Sequence, residues 1–177
     1  MPNLITGFRF LLSGILACML MLKQGMGIAF ISWLIFVVAA CTDWVDGYFA
    51  RKYKSVTALG KLMDPLADKI LVSTALIMLI PLGRVPAWMV LVIISREIVV
   101  TGLRGMASAA GIVVAAGGLG KIKSITQYIG IGILIFPVGL LPIPHLHQAG
   151  LAIMYLALAL TVWSGVDYFY KLRKVYL

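Results

Sequence analysis

The sequence predicts an all-α membrane protein, a bundle of six transmembrane helices with both termini on the cytoplasmic side. Three observations carry that expectation. Of the 177 residues, 62% are hydrophobic and only 12% are charged, against the ~25% charged residues usual in soluble domains. The mean hydropathy of +1.06 describes more apolar surface than one soluble core of this size can enclose. The apolar residues also fall into runs that suit a hydrocarbon layer of ~30 Å, which takes ~20 residues of helix to cross. The same composition excludes a disordered chain, and with Cys18 and Cys41 as the two cysteines there is no disulfide scaffold.

The runs place spans at 4–22, 28–50, 65–82, 86–110, 122–141 and 149–170. In the first, Arg9 precedes an apolar stretch as in a signal peptide, but Met21-Leu22-Lys23-Gln24 has no small-residue cleavage site, so the segment is read as a span. Lys23-Gln24-Gly25 separates it from the second, which ends at the basic segment Arg51 to Ser55. The third contains Pro65, which lacks a backbone donor, so that helix either starts near Asp64 or kinks there. Leu82-Gly83-Arg84-Val85-Pro86 closes it. Glycines around Gly117-Gly118 separate the fourth span from the fifth, and Pro142-Ile143-Pro144-His145 separates the fifth from the sixth. With no internal repeat and no linker, residues 1–177 read as one domain.

Fifteen Lys and Arg against six Asp and Glu leave a net charge of +9. No basic run is interleaved with aromatics, so nucleic acid is not expected as a partner. The excess reads instead as a topology signal and as counter-charge for lipid headgroups or a phosphorylated substrate. Six spans put Arg9, Arg51, Lys52, Lys54, Lys61, Lys69, Arg96, Arg104, Lys121, Lys123, Lys171, Arg173 and Lys174 on one side, leaving Lys23 and Arg84 on the other. The positive-inside rule makes the first side cytoplasmic. All six acids, Asp43, Asp46, Asp64, Asp68, Glu97 and Asp167, fall on it as well, so any chemistry faces the cytoplasm.

Four of those acids lie within residues 43–68. At about 100° per residue, Asp43, Asp46, Gly47 and Ala50 share one stripe of the second helix, with Arg51 at its margin. If the third helix begins early, Thr57, Gly60, Asp64 and Asp68 form another. Carboxylates in an apolar segment persist when they pair, bind a cation or face water. One acid at a helix end is readily explained as a snorkelling partner of Lys or Arg; four on two coherent stripes with small residues between them are not. Hard divalent cations take carboxylate oxygens together with substrate phosphates. Two such metals clamp a phosphoryl group undergoing displacement, and a carboxylate left over can deprotonate an incoming hydroxyl.

Asp43, Asp46, Gly47, Ala50, Arg51, Gly60, Asp64 and Asp68 fill every fixed position of the pattern Asp-x-x-Asp-Gly-x-x-Ala-Arg, eight residues, Gly-x-x-x-Asp-x-x-x-Asp. In this the chain resembles the CDP-alcohol phosphotransferases. The resemblance implies attack by a hydroxyl on the β-phosphorus of a CDP-linked lipid, with departure of CMP. It assigns Asp43, Asp46, Asp64 and Asp68 to a divalent-metal site of two Mg²⁺ or Mn²⁺ ions, with Asp68 also the general base. It assigns Asn3, Thr6, Gly47, Ala50, Arg51, Thr57 and Gly60 to the CDP-lipid, Arg51 meeting its phosphates. It further implies a homodimer in the bacterial plasma membrane.

Within the family, Pro2 to Arg9, Arg96-Glu97-Ile98-Val99-Val100-Thr101-Gly102-Leu103-Arg104 and Gly120-Lys121-Ile122-Lys123 resemble bacterial members that use CDP-diacylglycerol as donor and sn-glycerol 3-phosphate as acceptor. The residues agree with that choice. Arg96, Arg104, Lys121 and Lys123 stand on the carboxylate side, outside the metal motif, where a phosphorylated acceptor needs counter-charge and serine or free inositol needs less. Ordinary positive-inside anchoring is the competing account of the two lysines and, less so, of Arg104, and Arg96 has Glu97 beside it to balance or to hold away from the metals. The same chemistry with phosphatidylglycerol, inositol phosphate or serine as acceptor is the alternative. An ion-coupled transporter is a further one, weakened because nothing in spans four to six mirrors the acids.

Other features are read as structural. Gly117-Gly118-Leu119-Gly120-Lys121 lacks both the first glycine of a phosphate loop, position 115 being Ala, and a preceding strand. His145 and His147 read as loop residues and the cysteines as small apolar helix residues. Asp167 and Lys171 are spaced for an ion pair, and Trp88, Tyr168, Tyr170 and Tyr176 suit an interfacial belt.

Overall fold

The computed structural model describes the backbone of residues 2–53, 58–109, 118–141 and 143–176, and the side chains of residues 7–42, 69–107, 118–141 and 143–171. Six helices account for most of it: α1 (Pro2–Met21), α2 (Met26–Tyr53), α3 (Ala58–Leu79), α4 (Ala87–Ala109), α5 (Gly118–Ile135) and α6 (Leu146–Tyr176). There is no strand among the described residues. The all-helical, six-element expectation is therefore met. Helix α3 begins early and runs through Pro65, the arrangement on which the second carboxylate stripe depends.

Helix ends follow from local chemistry. Gln24 closes α1, its side-chain amide donating to the carbonyls of Met19, Leu20 and Leu22 at 3.0, 3.2 and 2.8 Å, at the end where helical carbonyls run out of i+4 donors; Met19 O also accepts from Leu22 N at 3.3 Å. Helix α3 stops at Leu79 rather than 82 because a Schellman turn takes over: Arg84 N donates to Leu79 O and Gly83 N to Ile80 O. Gly83 sits at φ +67, the left-handed position that such a turn requires. Helix α5 ends at Ile135, short of the expected 141. Pro137 cannot donate to the helix ladder and disfavours helical backbone at the residue before it. Arg84 then caps α5, donating from Nη1 to Leu134 O at 2.6 Å and Ile135 O at 3.3 Å. His147 Nε2 lies 3.1 Å from Phe136 O, so this histidine serves the same helix end from the first turn of α6.

Among the described residues one large buried apolar cluster runs through the bundle, with a smaller one where α4 meets α6. Leu16, Phe36, Leu71, Leu76, Leu79, Met89, Ile93, Ile131, Leu134, Ile135 and Met154 are all essentially inaccessible. Helix α1 packs against α2 and α3, α5 against α6, and α4 against α3 and α6. The outer surface inverts the soluble pattern. Leu91, Ile98 and Trp163 are exposed, whereas Arg9, Lys123, Gln127 and Thr161 are buried. Helical hydroxyls close on their own backbone, as Ser13 does on Arg9 O, Ser32 on Ile28 O and Thr161 on Ala157 O, which satisfies them where no water is at hand. By length and composition, Leu146–Lys171 is able to cross a membrane. The other apolar helical stretches among the described residues, Gly7–Met21, Met26–Thr42 and Lys69–Leu79, are shorter.

Small residues let α5 and α6 approach closely. A Cβ on Gly150 would stand 2.9 Å from Ile133 Cγ2 and 3.1 Å from Leu134 Cδ2, and one on Gly130 would stand 2.8 Å from Met154 Sδ. The neighbours differ in what they can yield: Ile133 is β-branched and stiff, whereas Met154, although as buried as Leu134, has an unbranched chain that adapts more readily. Gly150→Ala is therefore expected to destabilise the protein by about 1–3 kcal/mol. Gly130→Ala should cost less: both substitutions gain ~1 kcal/mol of helix propensity, but the atom nearest a Cβ on Gly130 belongs to the flexible Met154 chain, with Ile153 Cγ2 at 3.3 Å. Thermal unfolding in detergent checks the pair, and equal losses would contradict this packing.

Candidate active site

Three helix faces converge on one cavity of about 1020 Å³. Helix α2 contributes Trp33, Phe36, Val37, Ala40 and Cys41; α4 contributes Arg96, Glu97, Val100, Thr101 and Arg104; α5 contributes Lys121, Lys123, Ser124, Tyr128 and Ile133, with Phe136 just past its end. On α2 and α4 the spacings of three and four residues are those of a single face, whereas Lys121 and Lys123 of α5 stand two apart, so the cavity reaches round the start of that helix. Lys69 of α3 completes the polar end. The wall away from the cations is aromatic: Phe36 lies 5.9 Å from Tyr128, and Trp33 meets Phe136 edge-on at 5.3 Å, measured between ring centroids. The cavity is thus amphipathic along its length, cationic at one end and apolar at the other.

All four cations expected at an acceptor phosphate, Arg96, Arg104, Lys121 and Lys123, line this cavity, but they are not equivalent. Glu97 holds two of them. Its carboxylate accepts from Arg96 Nη1 at 2.9 Å, from Lys69 Nζ at 2.6 Å and from Lys123 Nζ. The Glu97 side chain is only 13% exposed and that of Lys123 5%, so solvent screens these contacts weakly. Arg96 also donates from Nη2 to Ser164 Oγ at 2.9 Å, crossing α6 over Gly165. One carboxylate and the arginine beside it therefore tie α3, α4, α5 and α6 together. Three cations against one anion still leave this end of the cavity positive.

Arg104 and Lys121 are exposed and have no carboxylate partner among the described residues. Arg104 lies over the ring of Tyr168, its Cζ 5.8 Å from the centroid. Tyr168 departs from the interfacial belt expected of it. It is 6% exposed, packed with Val100, Leu103 and Ala107, because α6 continues past its apolar run and lies against α4 there. Trp88 and Tyr170 are exposed, and Lys171 pairs with Asp167 at 2.5 Å as the spacing predicts. Cys18 and Cys41 are free and exposed.

The carboxylate segment occupies the C-terminal part of α2 and the N-terminal part of α3, successive in the chain: Asp43 and Asp46 belong to α2, Asp64 and Asp68 to α3. Their side chains lie outside the described residues, as do those of Asn3, Thr6, Gly47, Ala50, Arg51 and Gly60; Thr57 lies outside them altogether. Two cavity residues flank the segment in sequence, Cys41 two positions before Asp43 and Lys69 directly after Asp68. The donor set is hard carboxylate oxygen throughout, which fits a divalent cation of the Mg²⁺ or Mn²⁺ kind. Among the described residues there is no cluster of three or more metal-ligating side chains. Lys69 had no local signal as a cavity residue. Its partner Glu97 is 28 positions away, beyond the reach of helical periodicity.

A sequence model of CDP-alcohol phosphatidyltransferases matches residues 1–163. The chain is 51% identical over 141 residues to the CDP-diacylglycerol–glycerol-3-phosphate 3-phosphatidyltransferase of Bacillus subtilis, covering 78% of this chain and 71% of that one. It is 41% identical over 138 residues to a probable phosphatidylglycerophosphate synthase of Mycobacterium tuberculosis, covering 78% and 64%. Its likeness to the CDP-diacylglycerol–glycerol-3-phosphate 3-phosphatidyltransferase of Rickettsia typhi is 35% over 176 residues, 99% of this chain and 98% of that one.

Proposed function

The chain belongs to the CDP-alcohol phosphatidyltransferase family, and we infer that it transfers the phosphatidyl group of CDP-diacylglycerol to sn-glycerol 3-phosphate, giving phosphatidylglycerophosphate and CMP. It is an enzyme of phospholipid synthesis, like the relatives named for that reaction. The observation that carries the acceptor is the cavity: its cationic end offers Arg104 and Lys121 to a phosphate, and its aromatic length suits an apolar chain.

The reaction divides among the chain's own residues. Arg104 and Lys121 bind the acceptor phosphate, with Lys69, Arg96 and Lys123 behind them keeping the local field positive although Glu97 holds them. Asp68 accepts the proton of the attacking glycerol hydroxyl as its oxygen bonds to the β-phosphorus and the bond to CMP breaks. Asn3, Thr6, Arg51 and Thr57 hold the nucleotide and its phosphates, and Gly47, Ala50 and Gly60 leave room beside it. Asp43, Asp46 and Asp64, with Asp68, would hold two divalent ions, Mg²⁺ or Mn²⁺. Such ions, when bound, withdraw charge from the pyrophosphate and from departing CMP.

The membrane setting has structural support. An outer surface rich in Leu, Ile and Trp around buried Arg9 and Lys123 is what lipid contact favours. We read all six helices as membrane-crossing, both termini and the carboxylates as cytoplasmic by the positive-inside rule, and the enzyme as a homodimer by its family likeness. The donor's acyl chains then enter the apolar part of the cavity sideways from the bilayer.

The test is CMP release by purified protein given CDP-diacylglycerol and Mg²⁺, with glycerol 3-phosphate, inositol 1-phosphate, serine and phosphatidylglycerol offered singly. Release with glycerol 3-phosphate alone is expected. Release with another acceptor alone would keep the carboxylate chemistry and overturn the acceptor assignment.

A further inference from the structure

The cations of the cavity are held in two different ways. Lys69, Arg96 and Lys123 are fixed by the Glu97 carboxylate, which spends part of their charge and some of their donors. Arg104 is located by an aromatic face instead, 5.8 Å from the Tyr168 centroid. A ring face attracts a guanidinium without taking up its in-plane N–H donors, and no acceptor among the described residues takes them, so they are open to a ligand.

Tyr168 is built in as a fixed platform. Its side chain packs against Val100, Leu103 and Ala107 of α4, the last 1% exposed. Its hydroxyl is buried with no hydrogen-bond partner among the described residues. A buried hydroxyl without a partner opposes folding, so the stabilising part of this residue is its ring.

We propose that Tyr168 is a positioning residue for the acceptor: its ring holds the Arg104 guanidinium at the cavity with its hydrogen-bond donors available to the acceptor's phosphate. The role rests on the reading of the cavity as the acceptor site. It concerns affinity for the acceptor and leaves the donor and the chemical step untouched.

The experiment is steady-state CMP release by the purified full chain, varying glycerol 3-phosphate and CDP-diacylglycerol separately. Tyr168→Leu removes the face and should raise KM for glycerol 3-phosphate about threefold to tenfold, with kcat and the donor KM within about twofold of wild type. Tyr168→Phe keeps the ring and should recover the wild-type KM. In an Arg104→Ala background, Tyr168→Leu should add nothing further, since a residue acting through Arg104 has nothing left to position. A KM unchanged in Tyr168→Leu, raised equally in Tyr168→Phe, or raised additively in the double variant overturns the positioning role. If Tyr168→Leu does not fold, Tyr168→Met fills the site without a ring and is judged by the same outcomes. A raised acceptor KM in Arg104→Ala with none in Tyr168→Leu overturns the positioning role alone. An Arg104→Ala variant in which only donor affinity falls overturns the acceptor reading and the positioning role together.

Discussion

Asp64→Asn is expected to abolish turnover, lowering CMP release by about three orders of magnitude or more. Charge stabilisation by a bound divalent ion contributes several kcal/mol to such a transition state, and ~1.4 kcal/mol is a factor of ten in rate. The amide has nearly the shape of the carboxylate but no charge, so the substitution tests ligation and not packing. CMP release should collapse while thermal unfolding of the metal-free protein stays at the wild-type temperature. Chelation of divalent ions should reproduce the loss in the wild type, and added Mg²⁺ or Mn²⁺ should reverse it there but not in the variant. Near-normal turnover in Asp64→Asn would remove Asp64 from the metal site.

Glu97→Gln is the second substitution with a large expected effect, and here it falls on the fold. Lys69, Arg96 and Lys123 reach the Glu97 carboxylate from α3, α4 and α5. Without its charge, three cations in a poorly solvated place repel one another and lose their best acceptor. Removing one partner of a buried ion pair costs about 3–5 kcal/mol. The partial exposure of Lys69, 27%, argues for the lower end of that range. The apparent melting temperature should therefore fall clearly. A Glu97→Gln/Lys123→Met double variant should recover part of the loss, because it no longer leaves the most buried cation unpaired. Unchanged unfolding in Glu97→Gln would mean that the cluster does not hold the helices together.

Much of this was legible along the chain. Hydrophobic runs and their Gly and Pro punctuation located six helices, and the Asp167–Lys171 pair followed from spacing alone. Differences arose where a helix end depends on a remote group or on turn geometry. Helix α5 stops at Ile135 with Arg84, 50 positions away, on its last carbonyls. Helix α3 ends in a turn that depends on the left-handed backbone of Gly83. Tyr168 looked like a belt residue because its own neighbourhood is aromatic and basic; only α4 packing over it shows that it is buried.

The division has a physical cause. The candidate metal motif lies within residues 43–68, where periodicity of the backbone relates one carboxylate to the next, so the sequence alone determined the donor types, the reaction class they suit and the family. Helix-to-helix relations are another matter. Glu97 meets Lys69 and Lys123 across separations of 28 and 26 residues, and no local rule sets the rotation of three helices about their axes. The tertiary structure decided that Arg96 and Lys123 are bound to a carboxylate while Arg104 and Lys121 meet none among the described residues, that Lys69 joins the bound pair, and that an aromatic wall continues the cationic pocket. Side-chain packing between helices fixes those rotations, and it is the sum of many weak contacts rather than the property of any one segment.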